Sequence, residues 1–172
     1  RDRVMIGEIR DLETAEIAIQ ASLTGHLVMA TLHTNTSVGA ITRLRDMGIE
    51  PYLISSTLIG VVAQRLVRVL NPTTKKSMKA KSYECEMLGI NPSDPPLIYH
   101  ADGASGFSGR TGIYELLQVD DNVRELIHDG ASEREIEKYI RKNNPSIRED
   151  GKNKVLSGIT TLDEILRVTQ ND

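Results

Sequence analysis

Glu8 closes the apolar run Val4-Met5-Ile6-Gly7, and His33 closes a second, Leu27-Val28-Met29-Ala30-Thr31-Leu32. A carboxylate and an imidazole are side chains able to orient water and exchange a proton near neutral pH. An apolar run bounded by glycine is what a fully buried parallel strand requires, because both of its faces must be covered. In open α/β sheets ligands bind in the crevice outside the carboxyl ends of the strands, where Glu8 would meet water and a bound phosphate. A further histidine, His26, opens the second run. Read as one unbroken strand, His26 to His33 holds the two rings about 23 Å apart, and their odd spacing turns them to opposite faces. The pair cannot share one metal ion. His33, followed by Thr34-Asn35-Thr36-Ser37, is the better site residue, whereas His26 suits a capping or supporting role or a subunit contact.

The elements that would position these residues follow from the intervening pattern. Between Asp11 and Thr24, Leu12, Ala15, Ile17, Ala18, Ile19, Ala21, Ser22 and Leu23 recur at helical spacing, with Asp11 placed to cap the first turn and Gly25 to stop the last. A helix of about 14 residues spans roughly 21 Å, enough to return the chain so that the second strand runs parallel to the first in a right-handed crossover. Glu8 and His33 then share one edge of the sheet. Beyond them, Ser37 to Met47 reads as a helix capped by Thr36 or Ser37 and stopped by Gly48, with Arg43, Arg45 and Asp46 on its wet side. The run from Leu53 to Val62 suggests a buried helix, and Leu66 to Leu70 a further strand.

The stretch from Val4 to Pro51, VMIGEIRDLETAEIAIQASLTGHLVMATLHTNTSVGAITRLRDMGIEP, resembles the Walker B and histidine boxes of the type II secretion ATPase, the general secretion pathway protein E family. The resemblance continues through Ala63 to Arg68, Gly109 to Leu117 and Gly158 to Glu164, and covers all but residues 72–106. It implies an α/β fold: the C-terminal half of a RecA-like P-loop ATPase sheet over residues 1–71, followed by a small, mostly helical subdomain over residues 107–172. It also implies that Glu8 orients the water attacking the γ-phosphate of ATP and that His33 stands near that phosphate, chemistry dominated by positioning and charge. Nucleotide contacts at Gly7, Arg10, His26 and Arg65 follow by the same resemblance. For Arg10 and Arg65 an ordinary ion pair at a strand or helix end stays open.

A P-loop requires Gly-x4-Gly-Lys-Ser/Thr, whose backbone N–H groups wrap phosphates that the lysine reaches. The nearest approach, Ala104-Ser105-Gly106-Phe107-Ser108-Gly109-Arg110-Thr111, lacks the first glycine and the lysine and reads as a turn. The chain is therefore expected to be a C-terminal fragment that is inactive alone. The resemblance implies ATP and Mg2+ as ligands of the full-length protein, a hexamer, inner-membrane secretion partners, and a cytoplasmic place peripheral to that membrane.

The remaining sequence bounds the alternatives. With 172 residues, 39% hydrophobic and 26% charged, the chain can bury a core as one domain or as a domain with a subdomain. A net charge of −3 gives no footprint for nucleic acid. There is no apolar run of membrane-spanning length, and the first residues do not read as a signal peptide. Residues 72–106 carry four of the six prolines and a lysine cluster at 75, 76, 79 and 81. Relatives by resemblance commonly bind zinc here through two Cys-x-x-Cys pairs, which close a tetrahedral site. Cys85 is the only cysteine, so zinc is not expected, a disulfide within the chain is impossible, and a mixed site from Cys85, His100 and Asp102 is the remaining option. Lacking such a metal, residues 75–84 are expected to be mobile.

In the last third, Thr111 to Val119 reads as a strand with Glu115 as an edge charge. Asp120 or Asp121 starts a helix to His128, and Ser132-x-x-Glu135 opens another to Asn143. Ile147 to Leu156 is a helix, and Thr161-x-x-Glu164 caps a last one striped by Leu162, Ile165, Leu166 and Val168. Three readings follow: a secretion ATPase, a type IV pilus assembly ATPase, or a non-catalytic module that binds a motor subunit. The stretch TRLRDMGIEP and the chain's ending favour secretion.

Overall fold

The computed structural model describes residues 2–170. These form two compact units, the first comprising residues up to Ala63 together with Leu116–Asn144, the second Gln64–Glu115 together with the residues from Pro145 on.

In the first unit, β1 (Arg3–Ile6) and β2 (Leu27–Ala30) pair in parallel, with Val4 opposite Val28 and Ile6 opposite Ala30. The connecting helix α1 (Leu12–Leu23) is capped by Asp11, whose carboxylate accepts from the Thr14 N–H and is thereby held below its ordinary pKa. Gly25, at a φ of 95°, turns the chain out of the helix. The two strands depart from the expected full burial: Val4, Ile6 and Val28 are half-buried, whereas Met5 is 79% exposed and Leu27 and Met29 lie open too. A period of two with one covered face is the pattern of a half-buried sheet, and among the described residues this sheet has two strands. The second strand is also shorter than His26 to His33, since it ends at Ala30.

Three more pieces complete the unit's core. Helix α2 (Ser37–Asp46) starts where Thr36 Oγ1 accepts from Gly39 N at 3.0 Å. Helix α3 (Pro51–Thr57) is shorter than predicted: Gly60 begins β3 (Gly60–Leu70), so Val61 and Val62 are strand residues. Short apolar runs suit a buried helix or strand equally, and Gly60 is the break that decides. From the C-terminal half, α5 (Asp121–His128) packs on α3 and α6 (Glu133–Ile140) on α2. Ile9, Ala15, Ile19, Val38, Ile41, Ile54, Leu117, Val123, Ile127 and Ile136 form one continuous apolar cluster. Arg45 is not on the wet side of α2. Its guanidinium donates to the Ala131 carbonyl at 2.5 Å and the Ile127 carbonyl at 3.3 Å, satisfying groups at the end of α5.

The second unit holds an antiparallel pair, β4 (Lys76–Lys79) with β5 (Leu97–His100), and helix α4 (Ser82–Leu88). Residues 75–84 contribute β4 and the first turn of α4. Ala80, Cys85, Leu88 and Ile98 are buried and supply a small apolar core, and Glu84 Oε1 accepts from Lys81 N at 2.9 Å to hold the helix start. The strand β6 (Phe107–Gln118) pairs with β3 and begins before Thr111. Glu115 corrects the expectation of an edge charge: with Ile113 and Leu117 it lies on the covered face at 2% exposure, while Tyr114 and Leu116 point outward.

Helices α7 (Ile147–Leu156) and α8 (Leu162–Val168) pack against each other, Gly151 lying directly on Ile165. Within α8 Glu164 is buried and accepts from Arg68 N at 2.9 Å, Arg68 Nη2 at 2.8 Å and Arg167 Nη2 at 2.9 Å. Burial alone would raise its pKa. The hydrogen bonds from Arg167 and Arg68 outweigh that and take it down to about 2.

Candidate active site

The parallel pairing carries Glu8 and His33 out of the sheet on the same side, since each follows its strand at the carboxyl end. Glu8 Oε1 stands 2.6 Å from His33 Nε2, and Glu8 Oε2 accepts from Arg10 Nε at 2.5 Å. Oε1 is shielded from water and faces the imidazole without an aligned hydrogen bond. The carboxylate is only 21% exposed, whereas the His33 and Arg10 side chains are 90% and 78% exposed. Exposed ion pairs contribute little to stability, with a typical value of about 0–1 kcal/mol. The cluster is better suited to receive an anionic ligand and a water than to hold the fold together.

Two hydrogen bonds set the backbone on either side of Glu8. Ile9 N donates to the Thr31 carbonyl at 2.9 Å, and the Thr31 hydroxyl donates to the Gly7 carbonyl. Ile9 buries its side chain in the core at 7% exposure. Gly7 itself stands beside open space, where an added Cβ would touch nothing within 4 Å. Thr31 was not among the predicted site residues, because a threonine near a strand end carries no signal of its own until the register is known.

His26 and Arg65 each contact a helix end. His26 sits at the amino end of β2, where Nδ1 lies 3.1 Å from the Ala21 carbonyl and 3.2 Å from Thr24 Oγ1, closing the last turn of α1. Arg65 belongs to the second unit and donates to the Val168 carbonyl at the end of α8, a position favoured by the helix dipole. Glu8, Arg10 and His33 are thus the predicted residues that the fold brings into contact. No group of three or more His, Cys, Asp or Glu side chains able to hold a metal is found among the described residues. Among the same residues no helix is long and apolar enough to cross a membrane.

The same α/β framework recurs in solved structures of a pilus retraction motor and of a further ATPase. The solved structure of the pilus retraction motor PilT with bound ADP superposes with a TM-score of 0.67 at 25% identity, over 97% of this chain and 39% of that one. The Legionella pneumophila ATPase DotB superposes with a TM-score of 0.68 at 22% identity, over 99% of this chain and 39% of that one, a likeness of fold. The chain belongs to the Type II/IV secretion system protein family, whose profile matches residues 1–167. It is 57% identical over 99% of its length to the type II secretion system protein E of Pseudomonas aeruginosa. It is 59% identical over 98% of its length to the type II secretion system ATPase E of Vibrio cholerae. The chain spans 35% of the length of each of these relatives.

Proposed function

We propose that this chain is the C-terminal part of a type II secretion ATPase, in which Glu8 aligns and deprotonates the water that attacks the γ-phosphorus of ATP. The bond between that phosphorus and the β–γ bridging oxygen breaks, and ADP leaves with the electron pair. His33, at the open lip of the site, contacts the transferred phosphoryl group, and Arg10 beside it supplies a cation that stabilises the charge there. Gly7 leaves room for the nucleotide at the backbone. His26 and Arg65, each holding a helix end, support the framework. The observation that carries this reading is the 2.6 Å approach of Glu8 Oε1 to His33 Nε2 beyond two parallel strands.

Magnesium would accompany the nucleotide. Glu8 is an oxygen donor of the right kind, but its carboxylate already faces His33 and Arg10. An ion here would therefore be held chiefly by phosphate and water, as is usual for this cation. We further assign the nucleotide chemistry to residues 1–71, a zinc-free insert to residues 72–106, and a helical subdomain to residues 107–172. Hexamerisation, docking to inner-membrane secretion proteins, and a cytoplasmic place beside that membrane belong to the same proposal. The relatives named for type II secretion support this reading over pilus assembly. Phosphate release by the full-length protein, compared with its Glu8→Gln variant, tests it. Turnover that survives the substitution would refute it.

A further inference from the structure

We propose that Thr31 is a positioning residue for hydrolysis, whose hydroxyl tethers the Gly7 carbonyl and so aims the Glu8 carboxylate at the site shared with His33. The inference rests on the reading of Glu8 as the hydrolytic carboxylate.

Glu8 lies between two backbone groups that both bond to Thr31: the Gly7 carbonyl accepts from its hydroxyl, and the Ile9 N–H donates to its carbonyl at 2.9 Å. Those two anchors differ in redundancy. Ile9 is also seated by its side chain in the apolar core. Gly7 has no side chain, nothing within 4 Å of where a Cβ would stand, and the broad conformational freedom of glycine. The Thr31 hydroxyl is thus a direct side-chain restraint on the residue immediately before the carboxylate. His33 follows Thr31 by two residues, so the tether also ties the carboxylate's strand to the segment that bears the imidazole. Misplacing a reacting group by about 1 Å can cost on the order of 10²-fold in rate. A lost tether should therefore appear in turnover rather than in nucleotide affinity.

The test compares full-length wild type with Thr31→Val, which keeps the shape and removes the hydroxyl, and Thr31→Ser, which keeps the hydroxyl. Thr31→Val should lower kcat by about 10-fold or more with KM for ATP within about two-fold of wild type, and Thr31→Ser should restore kcat to within about two-fold. Amide hydrogen exchange measured over residues 4–10 should quicken in Thr31→Val and stay at the wild-type rate in Thr31→Ser, with residues 37–46 unchanged in both. Unaltered kcat in Thr31→Val, or equal impairment in Thr31→Ser, would overturn the proposal. If Thr31→Val does not fold, Thr31→Ala is read in its place by the same criteria. Should the wild-type protein itself hydrolyse no ATP, the functional reading fails and exchange alone judges the tether: unchanged rates over residues 4–10 in the hydroxyl-free variant would reject it.

Discussion

Glu8 and His33 are 25 residues apart in the chain, yet Oε1 of one lies 2.6 Å from Nε2 of the other. The parallel register of β1 and β2 produces this meeting, because both residues leave the sheet at its carboxyl edge. The contact is exposed on the imidazole side. Its physical value is therefore to chemistry at the surface, and each residue can be changed without undermining the core.

Glu8→Gln in the full-length protein removes the charge and keeps the shape. Turnover should fall by at least about 10²-fold, with nucleotide still bound. Phosphate release and fluorescent-nucleotide titration measure the two quantities. Thermal stability should stay within about 1 kcal/mol of wild type, since the partners of the lost contacts, Arg10 and His33, are exposed.

His33→Ala should lower kcat by about 10²-fold, at the lower end of what a positioned acid–base group contributes. The imidazole is 90% exposed, so little packing is lost and the circular dichroism spectrum should not change. Wild-type rates in this variant would remove His33 from the reaction.

How much of this could be read before the fold was known depended on the range of the interaction. Helix starts at Asp11, Thr36, Asp120, Ser132 and Thr161 were readable, because each cap joins a side-chain acceptor to an N–H three residues on. The shared edge for Glu8 and His33 was readable as well, since a helix between two strands imposes the parallel order. Arg45 and Glu115 were misread because burial is decided by distant parts of the chain, such as the Ala131 carbonyl reached by Arg45. The α3–β3 boundary was blurred because Leu58, Ile59, Val61 and Val62 suit either element. Thr31 escaped notice since a hydroxyl-to-carbonyl bond across strands depends on register and not on composition.

The second unit should be sensitive to acid through Glu164. Its pKa is held at about 2 against an ordinary 4.5. The stabilisation is therefore fully present above about pH 4.5 and is lost as pH falls through about 2. A shift of this size is worth roughly 3 kcal/mol. Glu164→Gln should remove a comparable amount at pH 7, leaving Arg68 and Arg167 without their buried acceptor. Urea denaturation of both proteins at pH 7 and pH 3 checks this: the difference between them should shrink at the lower pH.

Gly151→Ala tests the α7–α8 contact. A Cβ there would come within 2.8 Å of Ile165 Cδ1 and Cγ2. Overpacking of this kind costs about 1–3 kcal/mol, more than the roughly 1 kcal/mol that alanine gains in helix propensity. Thermal denaturation should show a net loss, and Ile165→Val should partly restore stability by removing Cδ1.

Elemental analysis of the purified chain should return well below one zinc per molecule. Cys85 is buried with its thiol 3.8 Å from the Ala80 carbonyl. Cys85→Ala should therefore leave metal content unchanged and cost only packing, and stoichiometric zinc would contradict the proposed zinc-free insert.

The bare face of the β1–β2 pair has a chemical consequence. Met5 and Met29 are register partners and both are exposed. Their thioethers are open to peroxide, and each sulfoxide formed would add a polar oxygen to the strand pair that leads to the acidic edge. The oxidation history of a preparation of this chain, readable by mass spectrometry, thus becomes a variable in any stability measurement made on it.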